Sequence, residues 1–404
     1  MTKNNSIQSL IKNVCTGCKM CADICPKNCI SFNEDDEGFF YPIVDDARCV
    51  DCGLCKKKCP GLNQSYNEKT NVAISAFASE QNVKATGSSG GIFYLLAANA
   101  IDNGGVVYGA AFDGQLKLRH CRVNSIDDLR PLCKSKYLQS DCRGIYSLVR
   151  SDLADGKFVL FVGTPCQCQA LKNYIGEKIS SNLLLVDFAC HGVPNQKLFD
   201  DNLQWNKHKY GNVLSVEYRY KGKGVKHPQT LKMVYEKAGI RKSILRMHYQ
   251  DPYYFGFQRH IILRPSCYQC EWAQPERCSD ITLADFWGIE KANIGLDSKK
   301  GVSCVLLNSD KGEKAYAAIA HNLTGVNELP VDFAIKNNGC LGSPTIEPKN
   351  RKQFFEDWKA LGYDAVINNY LMPKRKWVYD VYYSIPTPIR KILRKIMDKR
   401  MKYE

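Results

Sequence analysis

The sequence predicts an α/β fold preceded by a small cysteine-rich domain, and two observations lead to this prediction. Continuous apolar runs at residues 158–162 and 183–188 are typical of strands that are buried on both faces of a sheet. Each run is followed by a turn and a helical segment, and this alternation favours an α/β architecture with functional loops at the carboxyl ends of the strands. In addition, nine of the twenty cysteines lie within the first sixty residues.

The first sixty residues hold two copies of one cysteine pattern, C-x2-C-x2-C-x3-C-P. Each copy supplies four thiolates, and the pattern resembles the bacterial-type ferredoxins that hold two 4Fe–4S clusters. In that family the fourth cysteine of each run crosses to the other cluster. The resemblance therefore implies one cluster on Cys15, Cys18, Cys21 and Cys59, and another on Cys49, Cys52, Cys55 and Cys25.

Zinc binding and disulfide formation are the alternatives for this segment. Zinc sites usually take two spaced pairs of cysteines rather than two runs of four. Disulfides would require an oxidising compartment and an export signal, and residues 1–13 show no long apolar region of that kind. We therefore predict a reducing, cytoplasmic location. Cys29 falls outside both runs and is interpreted as a small core residue.

Length and composition restrict the class of protein. The chain has 404 residues, of which 44% are hydrophobic, so two or three domains with a proper core are expected. No run approaches the roughly 18 apolar residues of a membrane span. The net charge is +15, but ten basic residues against three acidic ones give residues 374–404 a net charge of +7. Because this excess is local, no nucleic-acid partner is expected.

Further cysteines from separate segments are candidates for a third metal site. Cys166 follows Thr164, a predicted N-cap, and Pro165, a predicted first helical residue, and a helix N-terminus favours the thiolate. A third iron–sulfur cluster is the interpretation, and zinc remains the alternative because one Cys-x2-Cys pair is also compatible with it. The other candidates are Cys190 at the end of the strand at 183–188, the pair Cys267-x2-Cys270, and Cys278. The cysteines interpreted as buried small residues are Cys121, Cys133, Cys142, Cys168, Cys304 and Cys340.

Five motifs in a fixed order resemble the coenzyme F420 hydrogenase/dehydrogenase beta subunit family, in the form with a fused N-terminal ferredoxin. They are GSSGG at 87–91, SKYLQS at 135–140, GTPCQ at 163–167, CHGVP at 190–194, and the cysteine pair with SDI and DFWG at 267–288. The resemblance implies an α/β domain that binds FAD and a 4Fe–4S cluster. It also implies electron transfer between iron–sulfur clusters and a hydride carrier, which is coenzyme F420 in archaeal members.

The same resemblance implies which residues hold the cofactors. Cys166, Cys190, Cys267 and Cys270 match the family's cluster cysteines, whereas Cys278 is an addition that leaves open which four bind. The predicted regions are a ferredoxin domain at 1–65, an N-terminal beta-subunit region at 71–150, a C-terminal beta-subunit region at 151–350, and a C-terminal extension at 351–404.

The predicted flavin contacts lie in and near the glycine-rich loop. Glycines there would allow a phosphate or flavin ring to approach the backbone, and the alternative is a tight turn with helix packing. Lys136 would pair with a pyrophosphate or reduced flavin unless it is an ordinary exposed lysine. His191 would donate to the flavin or carry a proton unless it caps the next helix. No catalytic residue is assigned. The predicted contacts are Gly87, Ser88, Ser89, Gly90, Gly91, Ser135, Lys136, Tyr137, Thr164 and His191.

These patterns predict an iron–sulfur flavoprotein oxidoreductase. FAD belongs between the clusters and a hydride carrier because a flavin exchanges either one electron or two. Two alternatives remain, namely a non-catalytic electron-transfer subunit that feeds a partner enzyme, and a reductase for an organic substrate, such as one of a polysaccharide pathway. The expected partner is a redox protein or a hydride carrier, and nothing in the sequence identifies a pocket for coenzyme F420.

The C-terminal tail is predicted to form a basic amphipathic helix. Lysines and arginines fill the positions between its apolar residues, so a peripheral contact with the inner, anionic face of a membrane is expected. The alternative is a helix that docks on its own domain. The apolar residues at helical spacing are Ile389, Ile392, Leu393, Ile396 and Met397.

Overall fold

The computed structural model describes residues 5–176, 181–223, 225, 227–296 and 301–385. The chain divides into two compact units. Unit 1 comprises residues 1–196, 221–223 and 264–346, and unit 2 comprises residues 197–220, 224–263 and 347–404.

Thirteen strands and thirteen α-helices occur within the described residues. The strands are β1 (Ile30–Glu34), β2 (Phe40–Val44), β3 (Val72–Ala78), β4 (Val106–Phe112), β5 (Leu118–Val123), β6 (Val159–Val162), β7 (Leu183–Phe188), β8 (Asn212–Glu217), β9 (Thr230–Lys237), β10 (Ile240–Met247), β11 (Ile281–Asp285), β12 (Ser303–Leu307) and β13 (Leu323–Pro330). The helices are α1 (Met20–Asp23), α2 (Leu54–Lys57), α3 (Gln81–Thr86), α4 (Ile92–Asp102), α5 (Ile145–Ala154), α6 (Pro165–Ile175), α7 (Gln196–Tyr210), α8 (Pro252–Gln258), α9 (Asp310–Ile319), α10 (Val331–Asn337), α11 (Arg351–Leu361), α12 (Tyr363–Val366) and α13 (Lys376–Ser384).

An eight-stranded mixed sheet forms the centre of unit 1, in the order β13–β3–β12–β11–β7–β6–β4–β5. Its middle is parallel, because β4 pairs with β6, β6 with β7, and β7 with β11 in that sense. Val162 at the end of β6 is in register with Val186 of β7, so the loops that follow these strands emerge side by side. The predicted α/β architecture is confirmed, with antiparallel strands at both edges.

Both faces of this sheet are covered, which explains the continuous apolar runs in its strands. Leu160 and Leu184 face a core that includes residues of α4 and α9. Phe161 and Leu185, the next residue of each strand, face a second core that includes residues of α5 and α6. Successive side chains of a strand point to opposite faces, so a strand between two cores has no polar face.

The ferredoxin segment packs on the second of these cores. Its β1–β2 hairpin is antiparallel, and Cys18 and Met20 are buried together with residues of α5 and α6. The hydroxyl of Tyr146 donates to the carbonyl oxygen of Cys18 at 2.9 Å, and Asp23 accepts from the backbone N–H of Gly144 at 2.9 Å. The segment is therefore part of unit 1, and its clusters would lie next to the sheet.

Unit 2 has its own antiparallel sheet, β10–β9–β8. Helix α13 contributes Tyr379 to an aromatic group, with its ring 5.2 Å from that of Tyr249. The sequence did not predict this unit. The expected amphipathic helix from residue 389 onward lies outside the described residues and stays a prediction. Across the part of the chain that the structure describes, every helix is too short or too polar to cross a membrane.

Asp152 of α5 anchors an edge of the sheet through a buried network. Its carboxylate accepts from the Tyr108 hydroxyl at 2.5 Å, from Arg122 Nε at 2.7 Å and from Lys157 Nζ at 2.8 Å. Burial alone raises the pKa of Asp152, but the hydrogen bonds from Arg122, Lys157 and Tyr108 outweigh burial and hold this pKa well below its usual range.

We expect Asp152→Asn to lower the free energy of unfolding by about 2 kcal/mol at pH 7, because two cations lose a shared anion and both are partly exposed. A carboxyl group with a depressed folded-state pKa stabilises above its unfolded pKa of about 3.9 and loses this effect as the pH falls. In urea unfolding, the wild-type advantage should therefore shrink below about pH 4. The exposed neighbour Asp155→Asn is the matched control. An advantage that is unchanged from pH 7 to pH 3 would contradict this account.

Candidate iron–sulfur and flavin site

The first set of ferredoxin thiols is buried in unit 1. Cys15, Cys18, Cys21 and Cys59 are each less than a tenth exposed. Burial raises the pKa of Cys18 to about 11 and that of Cys59 to about 12, and the neighbouring thiols add to both increases. Thiols that influence one another in this way lie together, as the predicted crossing of Cys59 to the first run requires.

The second set surrounds a pocket at the surface of the ferredoxin segment. The pocket is lined by Cys25, Cys49, Cys52 and Cys55, the four cysteines predicted for the second cluster, and also by Cys29. Cys52 is exposed, whereas the other three predicted ligands are partly buried. The Sγ atom of buried Cys29 lies 3.3 Å from that of Cys25, so the residue interpreted as core packing also faces the second set.

The predicted third set is assembled at the carboxyl ends of β6 and β7. Cys166 lies in the first turn of α6, directly after β6, and Cys190 follows β7 by two residues. Burial raises the pKa of both thiols well above the usual range, and the thiols of Cys267 and Cys270 add to both increases. The structure thus brings these four cysteines from three segments together, at the sheet edge where α/β proteins place their ligands.

Two other cysteines lie near the third set in different surroundings. Cys278 is buried behind the α6 turn, with its Sγ atom 3.4 Å from the carbonyl oxygen of Pro165. Burial raises the pKa of Cys168, and Cys278 adds to this increase. Cys340, which the sequence placed among the buried small residues, raises the pKa of Cys190. In the described ranges, no three histidines, cysteines or acidic residues surround a position for a single metal ion.

Arg277 places a buried positive charge beside the third set. It is 1% exposed, and it donates from Nη1 to the carbonyl oxygen of Trp272 at 2.8 Å, whereas Nε has no partner. Its charge lowers the pKa of Cys270 and of Cys340 against the effect of burial. Among the described residues it forms no ion pair. A buried cation requires a counter-charge. The buried carboxyl group of Asp187, whose pKa the charge of Arg277 lowers against burial, is one candidate, and an anionic cluster on the four thiolates would be another, so these residues fit a 4Fe–4S group.

The glycine-rich loop at 87–91 joins α3 to α4, and packing explains two of its glycines. A Cβ atom on Gly90 would lie 2.6 Å from the carbonyl oxygen of Ala76, and Gly91 has a φ of +87°. Larger residues at these positions would collide with β3 or strain the backbone. The turn-and-packing alternative therefore accounts for both glycines, and a contact between this loop and a flavin stays a prediction.

Ser88 and Ser135, from two of the predicted flavin segments, are in contact. The backbone N–H of Ser135 donates to Ser88 Oγ at 2.7 Å, and the two hydroxyls lie 2.9 Å apart. The hydroxyl of Ser89 donates to the carbonyl oxygen of Val302 at 2.9 Å, and Lys221 donates to the carbonyl oxygen of Ser89. The structure thus joins the 87–91 and 135–137 segments into one surface, which carries the half-buried Tyr137.

Lys136 is engaged in its own loop. Its ammonium group donates to the carbonyl oxygens of Leu132, Cys133 and Lys134, at 3.0, 2.6 and 3.3 Å. Burial lowers the pKa of this lysine to about 8. An ammonium group has three donors, and all three bind carbonyl oxygens here. Lys136 therefore shapes the loop, and a pairing with a pyrophosphate would require these bonds to be exchanged.

Thr164 and His191 differ in how closely they approach the third set. Thr164 Oγ1 lies 3.1 Å from Cys166 Sγ, so its hydroxyl borders a predicted cluster ligand. The backbone N–H of Thr164 donates to Gln167 Oε1 at 3.0 Å, which is half of a capping box. His191 is exposed, and its carbonyl oxygen accepts from the Thr345 hydroxyl at 2.9 Å. A proton-carrying role for His191 stays a prediction.

A buried polar network that the sequence did not reveal connects these segments. His120 Nδ1 lies 2.9 Å from Ser140 Oγ, and its Nε2 lies 3.0 Å from the carbonyl oxygen of Val162. Gln167 Nε2 donates to Ser140 Oγ at 2.9 Å. Burial lowers the pKa of His120 to about 4, so this histidine is neutral near pH 7. The network fixes the 135–142 segment against the turn that carries Cys166.

Comparisons with known proteins match two regions of the chain. Residues 14–61 match the model of the 4Fe-4S dicluster domain. Residues 156–328 match the model of the C terminus of the coenzyme F420 hydrogenase/dehydrogenase beta subunit. Both matches include cysteines of the predicted sets.

Individual proteins match shorter stretches of this chain. A ferredoxin from Rickettsia felis is 34% identical over 53 residues, which are 13% of this chain and 44% of that protein. NADH-quinone oxidoreductase subunit I from Pelobacter propionicus is 37% identical over 54 residues, 11% of this chain and 29% of that protein. The chain thus spans less than half the length of these two relatives.

Among solved structures, a chain of the F420-reducing NiFe hydrogenase complex from Methanosarcina barkeri is similar, with a TM-score of 0.43 and 16% identity. The similarity covers 75% of this chain and 96% of that one. The family matches confirm the resemblance for residues 14–61 and 156–328, and the second range contains three of the five motifs. Residues 14–61 belong to the 4Fe–4S dicluster domains, and residues 156–328 belong to the family defined by the C terminus of the coenzyme F420 hydrogenase/dehydrogenase beta subunit.

Proposed function

We propose that the protein is an iron–sulfur flavoprotein oxidoreductase that moves electrons between its 4Fe–4S clusters and, through FAD, a hydride carrier. The observation that carries this proposal is the assembly of Cys166, Cys190, Cys267 and Cys270 in the same compact unit as the eight ferredoxin cysteines. A dicluster domain supplies one-electron carriers. A cluster on the third set of thiols, in the domain that contains the eight-stranded sheet, would be the next electron acceptor.

The segment at 135–142 supports a continuous route, because it contacts three parts of the proposed site. Ser135 meets the glycine-rich loop. Gln139 Nε2 donates to the carbonyl oxygen of Thr16, between the first two ferredoxin cysteines, at 2.7 Å. Ser140 is held by Gln167 in the helix that carries Cys166. One short segment thus lies between the predicted flavin surface, the first set and the third set.

FAD would couple the clusters to a hydride carrier, because it accepts single electrons and releases a hydride. In the proposed site, the surface formed by Ser88 and Ser135 would bind it, and Thr164 would lie on the cluster side. Coenzyme F420 is the proposed carrier on the strength of the family match alone. An electron-transfer subunit without its own chemistry, and a reductase for an organic substrate, are the competing proposals.

The proposed partner is a redox protein or hydride carrier, and we place a second, peripheral contact in the C-terminal tail. Ten basic residues against three acidic ones in residues 374–404 favour an anionic surface. This membrane proposal depends on the sequence pattern only.

We expect Cys267→Ser to remove one cluster, because serine is a poor ligand for iron. Iron should fall from about twelve to about eight atoms per chain in anaerobically purified protein, and one signal should disappear from the EPR spectrum of the reduced form. The matched control is Cys278→Ser, which should keep about twelve. Iron loss in Cys278→Ser but not in Cys267→Ser would contradict the ligand set. Zinc in place of the additional iron would make the site structural.

We expect about one FAD per chain in the wild-type protein, since the proposed route requires a two-electron carrier. Ser88→Trp should lower this FAD content severalfold without loss of iron, because the indole would occupy the surface shared with Ser135. Ser147→Trp, on the exposed side of α5, is the control and should keep its FAD. If cluster-replete wild-type protein contains no flavin and takes up none, the electron-transfer subunit replaces the oxidoreductase as the proposed function.

A further inference from the structure

Arg264 is a fully buried arginine whose guanidinium group contacts a predicted cluster ligand. It is 0% exposed. Its Nε donates to the carbonyl oxygen of Cys15 at 2.8 Å, and its Nη2 donates to the carbonyl oxygen of Phe40 at 3.0 Å and lies 3.6 Å from the Sγ atom of Cys15. The guanidinium carbon also lies 4.5 Å from the centre of the Tyr41 ring. The charge is therefore held in one orientation against the first set.

The backbone of the first run is shaped to admit this group. Gly17 has a φ of +68°, and a Cβ atom at this position would lie 2.7 Å from Nη1 and 2.8 Å from the guanidinium carbon of Arg264. It would also lie 2.8 Å from Gln139 Nε2, so any other residue would displace the guanidinium group and the Gln139 amide that binds it. The close approach of Arg264 thus explains why position 17 is a glycine, which the spacing of the cysteines alone does not explain.

Within the described residues, no carboxylate lies at ion-pair distance from the charge of Arg264. Its polar contacts are two backbone carbonyl oxygens, the neutral amide of Gln139 at 3.3 Å and the Cys15 sulfur. Among the described residues it forms no ion pair. Burial of a lone cation is costly, and the anion beside this one is the thiolate set of the dicluster domain.

The second set has a different electrostatic environment. Its pocket is lined by a single cation among the described residues, Lys27, and this lysine is exposed to solvent. An exposed charge is screened and acts weakly, whereas a buried charge acts at close range in a medium of low dielectric constant. The two ferredoxin sets therefore differ in the positive charge that each would experience.

Arg264 is also bonded to the segment that follows Cys190. Its backbone N–H donates to the carbonyl oxygen of Val193 at 2.9 Å, three residues after Cys190, and Cys267 lies three residues after Arg264 in the chain. Gln139, which accepts from Arg264, donates in turn to the carbonyl oxygen of Thr16. One residue thus contacts the first set through its side chain and is joined through its backbone to a segment that carries a third-set cysteine.

We propose that Arg264 is an internal counter-cation which raises the reduction potential of the cluster held by Cys15, Cys18, Cys21 and Cys59. A nearby positive charge favours the reduced, more negative cluster, and net charge and hydrogen bonds to the sulfurs are known to set such potentials. Arg264 is a positioning residue, because it contacts a ligand and neither donates nor accepts an electron. A higher potential would also hold an electron on the first cluster before it passes to the third set. This consequence rests on the proposed function.

EPR-monitored redox titration of the anaerobic full-length protein tests this proposal. In Arg264→Gln, the reduction equilibrium of the first cluster should fall at least tenfold, which for one electron corresponds to about 59 mV. The second cluster, identified by the signal that Cys52→Ser removes, should not shift. Arg264→Lys keeps the charge but lacks the planar set of guanidinium donors. It should lower the potential of the first cluster less than Arg264→Gln does. Arg143→Gln, at an exposed arginine already paired with Asp141, is the control and should shift neither.

A first cluster with an unchanged potential and full iron in Arg264→Gln would overturn the proposal, and so would an equal shift of both clusters. If Arg264→Gln fails to keep the first cluster, Gly17→Ala takes its place. The added methyl group would collide with the guanidinium group and with the Gln139 amide at constant net charge, so the potential of the first cluster should fall, and an unchanged potential in a variant that keeps full iron would overturn the proposal. These titrations need neither the third cluster nor FAD, so their failure is distinguishable from failure of the proposed function.

Discussion

The packing of residues 15–20 onto the core beside α5 and α6 is the interaction on which the rest of unit 1 depends. Cys18 and Met20 are buried with residues of both helices, and Tyr146 donates to the carbonyl oxygen of Cys18. A ferredoxin on a flexible linker would meet its acceptor only by collision. Here Cys18 of the first set lies in the hydrophobic core against which Cys166 packs, so the distance between these two thiols is determined by packing.

Buried charge is the second constraint, and it explains residues that have no obvious place in a hydrophobic core. Arg264 and Arg277 are the largest fully buried side chains of the described residues, and each lies beside a set of thiols. Among the described residues Arg264 forms no ion pair, and the charge of Arg277 acts on the buried carboxyl group of Asp187; buried guanidinium groups without sufficient counter-charge would make the core unstable. Anionic clusters would stabilise both arginines, and the arginines would in turn stabilise the reduced clusters. Folding and cofactor assembly are thus expected to depend on each other.

Sequence patterns predicted those parts of the protein whose structure depends on residues close together in the chain. The cysteine spacing identified the dicluster domain, and the apolar runs at 158–162 and 183–188 correspond to β6 and β7 because both faces of these strands are buried. Long-range contacts were not predictable. Neither the bonds of Arg264 to Cys15, 249 residues away, nor the discontinuous unit 2 leaves a periodic signal. Lys136 and Gly90 were assigned to a flavin, but the structure shows packing reasons for both, since one sequence cannot separate a tight turn from a binding loop.

Electron flow from the ferredoxin clusters through the third set to FAD is tested most directly by anaerobic stopped-flow reduction of FAD-loaded protein. A reduced low-potential carrier protein would be the sole electron donor, and the absorption of the clusters and of the flavin would be followed together. In the wild-type protein, flavin reduction should follow cluster reduction. In Cys267→Ser, the ferredoxin clusters should still be reduced while flavin reduction slows by at least about tenfold, because the route is interrupted. Equal rates of flavin reduction in both proteins would contradict the proposed route.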